Sequence, residues 1–240
     1  MSAGSIAADV LAGAELVESF RALGIRAFTT GRAAGSFGMH SDEPVREVMA
    51  RWSALRARLG GAPRLASATQ VHGRRIVEHG QGWSGWLRVD EADGHLTTVR
   101  GTAMAVTVAD CVPVFIGHPA GAAAIVHSGW RGTEARITVA AIGRLAELGF
   151  APSELLLHCG PAICGRCYEV SADVASRLTG HAANGPQRVD LRDLIAEHAA
   201  AEGVRRISVS ERCTRCDNDR FYSHRAGDAG RQLGVLLLEH

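Results

Sequence analysis

The chain has 240 residues, 46% of them hydrophobic and 21% charged, with 26 basic and 25 acidic side chains giving a formal charge of +1. That length supports a substantial buried core, and the even charge balance gives no reason to expect a nucleic-acid or membrane-surface partner. No apolar run approaches the roughly 20 residues that span a bilayer. Met1 to Val17 lacks a basic leader and is interrupted by Asp9 and Glu15, so a cytoplasmic protein is expected.

Val45, Val48, Met49, Trp52, Leu55 and Leu59 recur at three- and four-residue steps and predict a helix over 42–59. Ser41 or Asp42 suits its cap, Pro44 its first turn, and Gly60-Gly61 its end. Strand-like runs follow at 65–71, 74–79, 104–108, 112–117 and 122–127. A second helix is expected over 133–148, with Ile137, Ala140, Ala141, Leu145 and Leu148 on one face and Gly149 as the stop. A strand is expected at 155–158, then a short helix from a Ser171 cap to Leu178, and a helix over 191–201 ending at Gly203. Residues 207–209 read as a strand, and 230–238 as a closing helix. Strands cluster between helices without strict βαβ alternation. This predicts a layered α/β (α+β) fold with mixed sheets flanked by helices, and not a Rossmann fold. No boundary divides the chain, so one domain over 1–240 is expected.

Three short runs carry the chemistry: Gln70-Val71-His72-Gly73, Ala109-Asp110-Cys111, and His127-Ser128-Gly129-Trp130-Arg131-Gly132. Each follows or ends an apolar strand-like stretch. One cysteine and two histidines converging from strand ends would make a three-ligand site that suits zinc with one position open, the pattern of a catalytic metal. The ligands are 39 and 16 positions apart, so no local motif identifies them. Ser128 to Gly132 joins a strand to a helix start, where backbone N–H groups and Arg131 could cradle an anion; a plain turn with a solvated arginine and a packed Trp130 is the alternative. Asp110 should point away from the thiolate if the pleat continues. It reads as an orienting group for Arg131 or a histidine, or as a surface carboxylate. Asp93 is a second carboxylate for proton transfer or hydroxyl recognition, or a turn residue before Gly94. Phe221 to Arg225 offers a stacking face and a cation, or an edge strand with a solvated arginine.

Six cysteines occupy 111, 159, 164, 167, 213 and 216. Reduced thiols are expected in a chain of this size without an export signal. Cys164-Gly-Arg-Cys167 and Cys213-Thr-Arg-Cys216 together form a four-thiolate zinc pattern, yet 45 residues lie between the pairs. A compact zinc ribbon uses far fewer, so ordinary buried thiols are the expectation there.

Taken in order, the runs resemble the laccase-domain family. The resemblance covers Gln70 to Gly73, Glu91-Ala-Asp93, Ala109 to Val114, His127 to Thr133, Gly160-Pro-Ala-Ile, Cys167-Tyr168-Glu-Val170, Cys213-Thr214, and Phe221 to Arg225 followed by Gly230-Arg231. That family was once called multicopper polyphenol oxidases and is also described as zinc-dependent purine nucleoside phosphorylases and as peptidoglycan editing factors. The resemblance implies His72, Cys111 and His127 as zinc ligands, and phosphorolysis of adenosine, inosine, guanosine and methylthioadenosine, with adenosine deamination as a companion activity. Purine nucleosides and phosphate would be the small-molecule partners. Cys111, Arg131, Asp110 and Asp93 would be catalytic, with Arg131 contacting phosphate and an aspartate carrying a proton. Arg32, Gln70, Arg131, Tyr168, Ser223 and Arg225 would bind substrate. Around Arg32 the sequence departs from the family pattern: an Asn-Leu-Gly is missing and the stretch to Ser41-Asp42 is short.

Two other chemistries fit parts of the pattern. Cys111 with His127 as base would serve a thiol hydrolase or amidase editing peptidoglycan precursor peptides. Copper oxidation fits poorly, because a multicopper cluster needs many histidine ligands and no His-x-His pair occurs among the eleven histidines.

Overall fold

The computed structural model describes residues 9–39, 43–60 and 62–240. The first half of the chain contributes β1 (Glu15–Leu16), β2 (Ile25–Thr29), α1 (Val45–Arg58), β3 (Arg64–Ala68), β4 (Ile76–Glu78), β5 (Gly85–Val89), β6 (Gly94–Thr97) and β7 (Thr102–Val108). The second half adds β8 (Val112–His118), β9 (Ala122–Ser128), α2 (Trp130–Glu134), α3 (Ile137–Glu147) and β10 (Leu156–Cys159). It closes with β11 (Glu169–Val170), α4 (Ala172–Thr179), β12 (Gln187–Arg188), α5 (Leu191–Ala201), β13 (Arg206–Val209) and β14 (Gln232–Leu238). Two six-stranded mixed sheets result, ordered β1-β2-β14-β7-β3-β5 and β13-β10-β8-β9-β6-β4, plus the β11-β12 pair. No helix among the described residues is long and apolar enough to cross a membrane.

The layers follow from which side chains share a core. Val48, Trp52 and Leu55 of α1 pack on Leu65, Ala103, Val235 and Leu237 of the first sheet. Met104, Val106 and Leu236 from that sheet meet Phe115, Ala123 and Ile125 from the second. Val112, Val114 and Ile116 face the opposite way, onto Ile137, Ala141 and Leu145 of α3 and Ile195 of α5. The period-two alternation of β8 thus sorts its residues between two cores, and the order of layers is helix, sheet, sheet, helices. This is the mixed, layered architecture the sequence implied, and it is not a Rossmann arrangement.

Most of the expected elements are present, and the 191–201 helix has those bounds, whereas β1, β2, β5, β6, β11 and β12 had no expectation from sequence. Ser171 caps α4, its side chain accepting from Val174 N–H. Ser41, Asp42 and Gly61 lie outside the described residues, and Pro44 occupies the N-cap position of α1 instead of its first turn. The helix expected over 133–148 begins earlier and is broken into α2 and α3 at Arg136, which adopts φ 57°. The closing segment is a correction: 230–238 does not form a helix but the seven-residue strand β14, antiparallel to both β2 and β7. Every residue of β14 is buried. With apolar cover on both faces a central strand has no alternation to show, so its run of leucines imitates a buried helix.

The sheets approach closely at Gly234. A Cβ there would lie 2.7 Å from Pro113 Cβ and 3.3 Å from Ile125 Cδ1. Gly234→Ala is expected to cost about 1–3 kcal/mol through overpacking, read as a lower urea midpoint at unchanged slope. A midpoint equal to wild type would show that the sheets separate without penalty.

Candidate metal centre and active site

Three connections carry the chain from the first sheet to the second: β3 to β4, β5 to β6, and β7 to β8. Each contains a non-glycine residue with positive φ, respectively His72 (60°), Glu91 (50°) and Asp110 (82°). These sharp turns deliver His72, Asp93 and Cys111 to one end of the second sheet. His127, near the end of β9, is brought in by register. Gly94 pairs with Val126 and Val112 with Ser128, so Asp93 and Cys111 flank the last residues of β9.

The ligand atoms of His72, Cys111 and His127 lie within 4.8 Å of one another, with the two imidazole rings edge to face at 4.7 Å. Asp93 is fully buried behind them. Its carboxylate accepts from His127 Nδ1 at 2.8 Å and from the backbone N–H of Val71, His72 and Gly73 at 3.2, 3.0 and 2.7 Å. Its carbonyl accepts from His127 N–H at 2.7 Å. With Nδ1 engaged, His127 has Nε2 left for a metal, which is how outer carboxylates orient ligating histidines. Gly129 completes the cradle: a Cβ there would stand 2.8 Å from Cys111 Sγ and 3.2 Å from His72 Cδ2. One thiol and two imidazoles around a point that no side chain can fill fit a transition metal with an open position.

Electrostatics prepare the donors. Burial would push the Cys111 thiol up, but the His127 charge and hydrogen bonds from His127 and His72 outweigh it and hold it at about 6. Burial would likewise lower His127, but Cys111 and Asp93 raise it to about 9. Metal-free protein therefore holds a thiolate beside an imidazolium. Burial opposes ionisation of Asp93 too, yet His127 and the Gly73 N–H keep it below the usual carboxylate range.

A cavity of about 350 Å³ opens on the ligands, lined by His72, Cys111 and His127 together with Gln70, Arg88, His224 and Arg231 among others. Gln70 engages its polar atoms with Thr107, another lining residue, accepting from Thr107 N–H and donating to Thr107 O. Arg88, His224 and Arg231 had no role assigned from sequence. Arg231 lay within a noted motif, whereas nothing distinguished Arg88 from an ordinary edge-strand arginine.

The remaining expected site residues are not among those that line this cavity. Arg32 donates to Asn218 O, Phe221 O and Asp228 Oδ2, and its guanidinium covers the Tyr222 ring at 4.4 Å. Ser223 caps a short turn by accepting from Ala226 N–H. Arg131 is exposed and stacks on Trp130 at 4.3 Å. Arg225 donates to Glu169 O and covers the Tyr168 ring at 5.1 Å. The Tyr168 hydroxyl is pushed up to about 12 by burial and the nearby Cys111. Asp110 orients neither Arg131 nor a histidine. Its two oxygens accept from Thr214 Oγ1 at 2.6 Å and Arg225 N–H at 2.7 Å, because its positive φ breaks the pleat and turns it toward the C-terminal loops.

Comparison with known proteins assigns the family. The model for multi-copper polyphenol oxidoreductase laccase matches residues 22–239. The chain belongs to that family. A purine nucleoside phosphorylase of Deinococcus radiodurans is 35% identical over 88% of this chain and 88% of its own. Adenosine deaminase RL5, from an unknown prokaryote, is 30% identical over 61% of this chain and 59% of its own. Among solved structures, the Bacillus licheniformis hypothetical protein YfiH superposes with TM-score 0.86 over 93% of this chain and 96% of its own, at 23% identity, a likeness of fold. Both of these relatives are named for enzymes that act on nucleosides.

Two measurements test this construction. In metal-free protein, iodoacetamide should alkylate Cys111 with a rate that rises through pH about 6 and levels off above it, because the thiolate is the nucleophile. A midpoint in the ordinary thiol range, about 8.5, would show that His127 is not charged beside it. Asp93→Asn should weaken metal affinity roughly 10–100-fold, and unchanged affinity would mean that the carboxylate does not orient His127.

Proposed function

We propose that this protein is a zinc-dependent purine nucleoside phosphorylase acting on adenosine, inosine, guanosine and methylthioadenosine, with hydrolytic deamination of adenosine as a second activity. The observation that carries this reading is the three-donor cradle of His72, Cys111 and His127, open to a cavity of about 350 Å³. The names of the curated relatives supply the substrate class.

In phosphorolysis a phosphate oxygen bonds to C1′ as the bond from C1′ to the purine nitrogen breaks, and the departing base takes up a proton. Arg88 and Arg231 at the cavity would hold the phosphate, a task for guanidinium groups, Arg231 through nitrogens other than the Nη1 that donates to the Asp228, Ala229 and Gly230 carbonyls, and leave Arg131 to its stack on Trp130. Cys111 would ligate as thiolate, with His72 and His127 as neutral imidazoles. When bound, zinc supplies a Lewis acid for an oxygen or nitrogen of the reacting groups and lowers the pKa of water. Asp93 has no exposed surface, so its part is to hold His127 and the His72 turn in place. Both Asp110 oxygens are already engaged by Thr214 and Arg225. His224, exposed at the cavity, is the better placed group to pass a proton to the leaving base.

Chromatography of inosine incubated with zinc-loaded protein, with and without phosphate, tests the proposal. Hypoxanthine and ribose-1-phosphate should appear only with phosphate and fall by at least ~100-fold in Cys111→Ala, the scale of losing a metal-centred contribution to the transition state. Inosine left intact at full zinc occupancy would overturn inosine phosphorolysis, and release of base without phosphate would assign hydrolysis instead.

A further inference from the structure

The two Cys-x-x-Cys pairs, for which ordinary buried thiols are the expectation from sequence, converge. The sulfurs of Cys164, Cys167, Cys213 and Cys216 all lie within 4.8 Å of one another, and the Cys167 and Cys216 sulfurs are 3.5 Å apart. A disulfide needs about 2.05 Å. Four thiolates on one zinc at about 2.3 Å stand about 3.8 Å apart along the edges of a tetrahedron. All four cysteines are unbridged.

The backbone holds the four sulfurs together and offers donors to Cys213. Each pair sits on a tight turn: Cys167 N–H donates to Cys164 O at 2.9 Å, and Asp217 N–H donates to Cys213 O at 2.8 Å. The turns are held side by side by a parallel bridge between Ala162 and Cys213, with Thr214 N–H donating to Ala162 O at 3.1 Å. Cys213 Sγ accepts from two backbone N–H groups, Cys164 at 3.3 Å and Cys216 at 3.4 Å. A neutral thiol is a weak acceptor, whereas a metal-bound thiolate calls for donors of this kind. Two arginines stand nearby. Arg192 is buried, pairs with Asp190 and donates to Ser210 O and Arg212 O. Arg215 donates to Cys167 O.

We propose that Cys164, Cys167, Cys213 and Cys216 form a second, four-thiolate zinc site, distinct from the His72–Cys111–His127 cradle. On binding, each thiol gives its proton to solvent and its sulfur a bond to the same zinc, with no change of oxidation state. Four protein ligands leave no open position, so the site is structural. It ties the segment carrying Tyr168 to the segment carrying Thr214, whose hydroxyl holds Asp110 next to Cys111. The second metal thereby braces one wall of the first.

The test uses the whole, untagged protein, equilibrated with zinc chloride under reductant, desalted and analysed for metal. Wild type should hold two zinc ions per chain, and Cys111→Ala and the double variant Cys167→Ser/Cys216→Ser one each. One zinc in wild type that is lost in Cys111→Ala would overturn the proposal. Should the double variant fail to fold, iodoacetamide labelling of wild type read by mass spectrometry replaces it. Zinc should shield all four cysteines, including exposed Cys216, and chelation should release them. Labelling of Cys216 at full rate in the zinc-loaded protein, or disulfides in reductant-free mass spectra, would likewise overturn it. The shielding of Cys111 reads the first site separately, so failure at one site is not mistaken for failure at the other.

Discussion

The buried carboxylate of Asp93 is the point on which the rest of this active-site end depends. It lies at the crossing from β5 to β6, and it accepts one hydrogen bond from His127 and three from the backbone of the β3 to β4 crossing. Those donors hold the His72 turn closed around a negative charge, and the same charge selects the His127 tautomer. Hydrogen bonds to a charged group contribute about 1.5–3 kcal/mol each, and stranding one partner of a buried charged pair costs roughly 3–5 kcal/mol. That range is enough to hold His72 at φ 60°, a backbone conformation that costs about 1–3 kcal/mol for a residue with a side chain. The Asp93 carboxylate bonds to both histidines of the candidate metal centre, to the His72 backbone and to the His127 ring.

The sheet-on-sheet arrangement explains why the site forms at this end. Every passage from the first sheet to the second must reverse the chain in a few residues, and three such passages stand side by side. Their positive-φ turns release Asp93 and Asp110 from the ladder to satisfy donors elsewhere. Gly129, at the start of α2, leaves room for the Cys111 sulfur where any side chain would intrude. The apolar bulk that makes the turns affordable lies in the strands behind them, where β7, β8, β9 and β14 are almost wholly buried. A rigid scaffold therefore presents soft donors on short, tightly held connections.

The outer wall is organised by charge and stacking. Arg32 and Arg225 cover aromatic rings and bond to carbonyls or a carboxylate, while Arg131 stacks on Trp130. Arg88 and Arg231 stand at the cavity itself. Asp110 joins the wall to the metal cradle, since its backbone neighbour is Cys111 and its oxygens hold Thr214 and Arg225. The converging cysteine turns lie directly behind this junction.

The residue types and their local periods determined much by themselves. The donors His72, Cys111 and His127 stand out as soft ligands at strand ends, and the bounds of α5 and the Ser171 cap follow from spacing within a few residues. Those signals are legible because caps, turns and amphipathic periods depend on near neighbours. Tertiary structure alone decided what depends on distant register: that Asp93 faces His127, that the last seven-residue apolar run is a central strand, and that Arg32 is spent on the C-terminal loop. It also decided that cysteine pairs with 45 residues between them share one point in space. A strand covered on both faces has no period to read, and a side chain's partner across two sheets is set by pairing that no local pattern encodes.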